Sequence, residues 1–236
     1  FTAGDNVNLE GTDEQFSQCF DPNWGRHKAR IRPSPGGHDY LTPGAAGYFN
    51  YYGATAGDPS EGYYSYDIGS WHILSLNSEV SAVAGSAQEQ WLRADLAAHP
   101  SDCTLAYWHI PLFSSGTVHG PTDTMLDIWQ VLYQYGVDLV INGHEHFYER
   151  FAPQTPFGVA DYGYGIRQFI SGTGGAWLGY PFDEPQPNSE VRNNNVYGVL
   201  KLSLNEGSYD WEFIPEPGNS FTDFGSENCT RPDQPR

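Results

Sequence analysis

The chain has 236 residues, which at roughly 150 residues per domain is one domain with room for a sizeable core. Aromatic residues make up 15% of it and charged residues 17%, a balance that argues against disorder. No apolar run approaches the ~18 residues of a membrane-spanning helix. With 11 basic against 29 acidic residues, a formal net charge of -18 and lysines only at Lys28 and Lys201, there is no basic footprint for nucleic acid or an anionic membrane.

In chain order, residues 1–6 read as the end of a strand running into a loop. Thr12 with Gln15 makes a capping box, which predicts a short helix over 13–20. A stretch rich in Pro, Gly and Tyr follows, 21–62, and irregular segments that long are functional or carry short elements of their own. Strand-like runs at 62–66 and 71–77 flank Asp67-Ile68-Gly69-Ser70 and read as a hairpin. Ser86 with Glu89 makes a second capping box, and Trp91, Leu92 and Leu96 follow at helical spacing up to His99-Pro100. Residues 104–108 read as a buried strand ending at His109. Over 123–135, Met125, Ile128, Trp129 and Leu132 share a helical face, and Gly136 is the stop. The next buried strand, 137–141, runs into Asn142-Gly143-His144-Glu145-His146. The last third reads as strands at 167–171, 198–204 and 209–214, the final two joined by Asn205-Glu206-Gly207-Ser208. Strand-helix-strand units followed by hairpin strands predict a mixed α/β sandwich, read as a single domain over 1–236.

Cys19, Cys103 and Cys229 lie far apart with no C-x-x-C, so one disulfide and one free thiol fit a secreted protein, with the pairing open. The chain begins at Phe1 and has one methionine, Met125, so a processed product or a fragment is expected. Asn228-Cys229-Thr230 is a formal glycosylation sequon. The acidic charges are scattered, a pattern that suits solubility outside the cell. A field of that sign repels anionic substrates unless a bound cation inverts it locally.

Four segments end an apolar run or a turn with metal-capable residues: Gly4-Asp5-Asn6, Gly36-Gly37-His38-Asp39, Trp108-His109 and Gly143-His144-Glu145-His146. In sheets of this kind ligands gather beyond the carboxyl ends of strands, where such residues can converge. Imidazole with carboxylate suits Zn, Fe and Mn, and one carboxylate can bridge two cations. His27, His72 and His99 fit no such layout and read as structural; His119, in a Gly-flanked loop, is a candidate for lining a site. Arg150 is equally placed for a phosphate or for an ion pair with Glu149 or another carboxylate.

The order GD, then GGHD, then a strand-end His, then GHEH resembles the signature of the calcineurin-like metallophosphoesterases. Residues 142–150 (NGHEHFYER), 40–52 (YLTPGAAGYFNYY), 107–116 (YWHIPLFSSG) and 172–175 (GTGG) look like the purple acid phosphatase branch and its secreted bacterial relatives. The resemblance implies a four-layered αββα sandwich, here without its first strand and helix. It also implies one or two Fe, Zn or Mn ions per chain that hydrolyse phosphate mono- or diesters through a metal-bound hydroxide. By position, Asp5 resembles the bridging carboxylate, His109 and His144 ligands of the second metal, and His146 a ligand of the first. His38 resembles the catalytic histidine beside the phosphate, oriented by Asp39.

Three departures are visible. The family's first motif has no counterpart before Gly4, which leaves the first metal with Asp5 and His146. Gly37 stands where the family has a metal-ligating asparagine, so the second metal keeps Asp5, His109 and His144. Ile110 replaces a more usual polar residue. The implied partners are a phosphorylated small molecule or other phosphate ester, with neither nucleic acid nor membrane. A face left by the missing strand would pair with a second copy or another chain. The alternative is a non-catalytic binding or structural relative, and a weaker third idea is carbohydrate chemistry, resting on aromatic and acidic content alone.

Overall fold

The computed structural model describes residues 1–7 and 9–230. Two short parallel strands, β1 (Thr2–Ala3) and β2 (Pro33–Ser34), pair near the start. Between them the predicted capping box opens α1 (Asp13–Gln15): Thr12 Oγ1 accepts from the Gln15 N–H at 3.2 Å, and Gln15 Oε1 accepts from the Thr12 N–H at 3.3 Å. The helix continues through a π turn, Phe16–Phe20, into α2 (Asp21–Trp24). The stretch without periodicity proves to hold further short helices, among them α3 (Gly37–Leu41) and α4 (Ala46–Tyr52). It carries an aromatic core of its own, in which Phe16, Phe20, Tyr48, Phe49 and Tyr52 are buried together.

Then come β3 (Tyr64–Ile68), β4 (Trp71–Ser75), α5 (Ala87–Ala98), β5 (Cys103–Trp108), α6 (Leu126–Gln134) and β6 (Leu139–Asn142). β7 (Tyr148–Phe151), β8 (Arg167–Ser171) and β9 (Ser189–Asn193) complete a seven-stranded sheet in the order β3-β4-β5-β6-β8-β7-β9. Its central strands β4, β5, β6 and β8 pair in parallel, and the flanking pairs are antiparallel. A second, antiparallel sheet is built from β10 (Gly198–Asn205), β11 (Ser208–Pro215) and β12 (Phe224–Asn228).

Side chains alternate across each strand, so the central strands serve two cores at once. Ala106 and Trp108 face the helix layer, with Leu92 and Leu96 of α5 and Ile128, Trp129 and Leu132 of α6. Leu105 and Tyr107 face the other way, against Tyr209, Trp211 and Phe213 of β11. The result is the metallophosphoesterase-like α/β sandwich expected above, with helices, large sheet and small sheet stacked in that order. Among the described residues the outer face of the small sheet is open, with Val199, Ile214 and Phe224 exposed.

In these two sheets β7, β9 and β12 had no sequence signal, because charge pairing rather than apolar alternation marks them. Arg150 of β7 donates through Nε to Asp223 at 2.7 Å and pairs with Glu190 of β9. Arg167 of β8 pairs with Glu227 of β12 at 2.5 Å and with Glu190 at 2.8 Å. Both guanidinium groups lie 5.1 Å from the Trp211 ring, so cation-π contact adds to the clamp between the sheets. A disulfide joins Cys103, at the start of β5, to Cys229 just after β12, across 126 residues of sequence, and Cys19 is a free, exposed thiol.

A cross-link over so long a loop restricts the unfolded chain strongly. Reduction, or Cys229→Ser, is expected to lower the unfolding free energy by about 2–5 kcal/mol in urea titration. Cys19→Ser is expected to leave it unchanged; equal midpoints for all three proteins would show that the disulfide adds nothing to the apolar packing and charge pairs between the sheets.

Candidate metal centre

Strand ends deliver the predicted residues to one place. His109 follows β5, His144 follows β6 by two residues, and Asp5 follows β1 by two. The His109 Nδ1–H donates to the Ala3 carbonyl at 2.9 Å, which turns Nε2 toward the other two. Nε2 then lies 3.0 Å from Asp5 Oδ2 and 3.1 Å from His144 Nδ1. One ligand-capable atom from each of the three lies within 4.8 Å of the others. Backbone bonds hold the strand ends in register: the Gly143 N–H donates to the His109 carbonyl at 3.1 Å, and Asn142 Nδ2 to the Trp108 carbonyl at 3.1 Å.

The local backbone is strained where the donors are aimed. Asp5 and His144 both adopt left-handed conformations, with φ of 49° and 67°, which are uncommon for non-glycine residues and cluster at functional sites. Two glycines make the close approach possible. A Cβ on Gly4, itself at φ 83°, would fall 2.5 Å from His109, and one on Gly36 would fall 2.4 Å from the Asp5 nitrogen.

The electrostatics suit a cation. Burial raises the Asp5 carboxyl, but His109 beside it and the His38 N–H outweigh burial and hold it at about 2, so the carboxylate is charged. Burial opposes charge on His109, yet Asp5 and the Ala3 carbonyl lift its pKa above the ordinary imidazole value. Burial, followed by the neighbouring His109 and His119, pushes His144 down to about 3, leaving it a neutral ring with a free lone pair. An anionic oxygen and two imidazoles form a donor set that fits Zn, Fe or Mn.

The other predicted residues surround this trio. The His38 backbone N–H donates to Asp5 Oδ1 at 2.8 Å, and its ring Nδ1–H donates to the Leu9 carbonyl at 2.6 Å. That carbonyl, and not Asp39, fixes the His38 ring. Asp39 is fully buried and turned the other way, its Oδ2 accepting from the Gly36 N–H at 3.0 Å and from Asn6 Nδ2 at 3.0 Å. Burial raises its pKa to about 6. Asp39 therefore holds the loop that carries Asp5, and does so from behind. His146 lies outside the trio: its Nδ1–H donates to the Trp177 carbonyl at 2.9 Å, and its ring stacks on Tyr180 at 4.4 Å. That bond leaves Nε2 unprotonated, as in histidines that ligate metals.

His119 belongs to the site, stacked on His144 at 4.2 Å and 6.1 Å from His146. Its position depends on Glu145, which is buried and accepts from Ser114 Oγ at 2.6 Å and the Gly120 N–H at 3.0 Å. Glu149 anchors the same loop through the Ser115 N–H at 2.9 Å. Sequence reasoning missed Glu145, Glu149, Trp177 and Tyr180; the alternation of Glu with His in 142–150 was the available signal. It also missed Glu79, whose Oε2 lies 3.8 Å from where a Gly37 Cβ would stand. Arg150 is engaged by Asp223 and Glu190, away from the trio.

Residues 1–148 match the family model of the calcineurin-like phosphoesterases, and the chain belongs to that family. Within it, the chain is similar to purple acid phosphatases of Arabidopsis thaliana. It is 37% identical to purple acid phosphatase 15 over 100 residues, which is 40% of this chain and 19% of that protein. It is 35% identical to purple acid phosphatase 21 over 149 residues, 59% of this chain and 34% of that protein. The chain thus spans about a third or less of these relatives. The purple acid phosphatase from yellow lupin seeds shares its fold, with a TM-score of 0.70 at 19% identity over 79% of this chain and 36% of that one. GAP50, the anchor in the inner membrane complex of Plasmodium, shares it more loosely, with a TM-score of 0.52 at 14% identity over 73% of this chain and 54% of that one.

Gly36→Ala tests the packing of the site. The added methyl must displace Asp5 or His109. Zinc affinity, read by competition with a chromophoric chelator, is expected to fall at least tenfold while the circular dichroism of the fold is kept; unchanged affinity would show that the trio is not the cation's seat.

Proposed function

We propose that this chain hydrolyses phosphate esters at a metal centre held by Asp5, His109 and His144, with His146 directed to a second ion. The observation that carries the reading is the placement of His109 Nε2 between Asp5 Oδ2 and His144 Nδ1, at 3.0 and 3.1 Å. When bound, the ions supply Lewis acidity toward the phosphoryl oxygens and an activated water. The family's purple acid phosphatase-like members use dinuclear centres, and iron, zinc and manganese all suit these donors.

The chain's own residues do the rest. Asp5 and His144 are preset by strained backbone, so little ordering is left for binding. The His38 ring, held through Nδ1–H by the Leu9 carbonyl, keeps Nε2 free to take up a proton and pass it to the leaving oxygen. His119, stacked on His144, offers a ring N–H to the phosphate. Glu79 lies toward the space that a Gly37 side chain would occupy and supplies the carboxylate oxygen nearest to it. A positive centre also lets a chain of net charge -18 admit an anion. The substrate class is a phosphate mono- or diester outside the cell; the Cys103–Cys229 disulfide supports secretion.

A second reading, a non-catalytic binding relative, is favoured by Gly37, which offers no side-chain ligand. One experiment separates the two. The metal-stripped chain is reloaded with Zn, Mn or Fe and assayed with p-nitrophenyl phosphate and its bis-ester. Chelation is expected to abolish turnover, His144→Ala to remove an ion and reduce turnover about a thousandfold, and His38→Ala to lower turnover about a hundredfold with the ions retained. Gly37→Asn is expected to raise both metal affinity and turnover several-fold. Tight ion binding with no turnover in any of these proteins would establish the binding reading.

A further inference from the structure

At the opposite end of β4 lies a second cluster that the centre above does not use. His72 is 2% exposed and has a carboxylate on each ring nitrogen. Its Nδ1 is 2.8 Å from Oδ1 of Asp67, its cross-strand partner on β3, and its Nε2 is 2.7 Å from Oδ2 of Asp95 on α5. His99 caps α5 one turn beyond Asp95, and its ring stacks on His72 at 5.1 Å. One ligand-capable atom from each of His72, Asp95 and His99 lies within 4.8 Å of the others.

We propose that His72, Asp95 and His99 form a separate binding site for a divalent transition metal of the zinc type. His72 Nε2 and Asp95 Oδ2 face each other at 2.7 Å with the His99 ring beside them, so two imidazoles and a carboxylate converge within the reach of one ion. The supporting bonds are those of a ligating set. Asp67 stands behind His72 as a carboxylate stands behind a metal-bound histidine. Ser65 Oγ donates to the far oxygen of Asp95 at 2.7 Å and fixes its rotation. Asp95 and His99 are neighbours on the last turn of α5, where the helix dipole favours positive charge. A cavity of about 450 Å³, lined by Asp67, Trp71, His99 and Asp102 among others, opens beside His99 and provides access. Three protein ligands of this type leave an open position for water.

The test is zinc binding to the full chain, with stoichiometry by elemental analysis and affinity by chelator competition. Because the Asp5 centre also takes zinc, a His109→Ala/His144→Ala double variant isolates the new site and is expected to retain one tightly held zinc per chain. His99→Ala, on an exposed ring, is expected to remove one equivalent from the otherwise unaltered chain, and Asp67→Asn to weaken that equivalent about tenfold. Unchanged zinc stoichiometry and affinity in His99→Ala overturns the proposal, as does a folded double variant that binds no zinc. Should the double variant not fold, the His99→Ala comparison decides alone, since it leaves the first centre intact.

Discussion

The hydrogen bond from His109 to the Ala3 carbonyl is the contact on which the first centre depends. It fixes which ring nitrogen carries a proton, and so which nitrogen can face Asp5 and His144. It also ties the loop after β1 to the end of β5, although these two strands belong to different sheets. The His38 N–H and Asp39 hold the Asp5 loop from the other side. With these contacts, a chain segment from the start of the sequence and two from the middle meet within hydrogen-bonding distance.

The motif that ends in Arg150 then serves several purposes in turn. His144 and His146 are the ligand-type residues. Glu145 and Glu149, between and after them, are buried and hold the loop after His109 through Ser114, Ser115 and Gly120. That loop carries His119 back onto His144. Tyr148 and Arg150 point to the opposite face and bind Asp223, which links the large sheet to the small one. A continuous motif is thus divided between ligand-type residues on the loop before β7 and structural support, and along β7 the division follows strand alternation.

This division also explains what could and could not be read in advance. The parallel strands and the helices α5 and α6 were legible because burial on both faces or on one stripe leaves a periodic pattern. The donor trio was legible because each member ends an element. The aromatic helices of 21–62 were hidden among Gly and Pro. The strands β7, β9 and β12 were hidden because Arg, Glu and Asp pair sideways there in place of apolar contacts. Asp39 was legible as a functional neighbour of His38, but only the fold shows that it faces Asn6. His72 carried no motif at all, since its partners come from β3 and α5, and no spacing along the chain announces that convergence.

The strained residues give the architecture its remaining logic. Left-handed Asp5 and His144 cost of order 1–3 kcal/mol each, and such conformations persist only where the surroundings over-determine them. The surroundings here are stiff on the far side of the sheet. Arg150 and Arg167 are sandwiched between carboxylates of both sheets over Trp211, and the Cys103–Cys229 bond closes the same interface. Those contacts hold β5, β7 and β8 in place from below, while Asp39 and Glu145 hold the loops from behind. Contacts on the opposite face thus keep three donors aimed at one point, two of them in a backbone conformation that their own preferences would not choose.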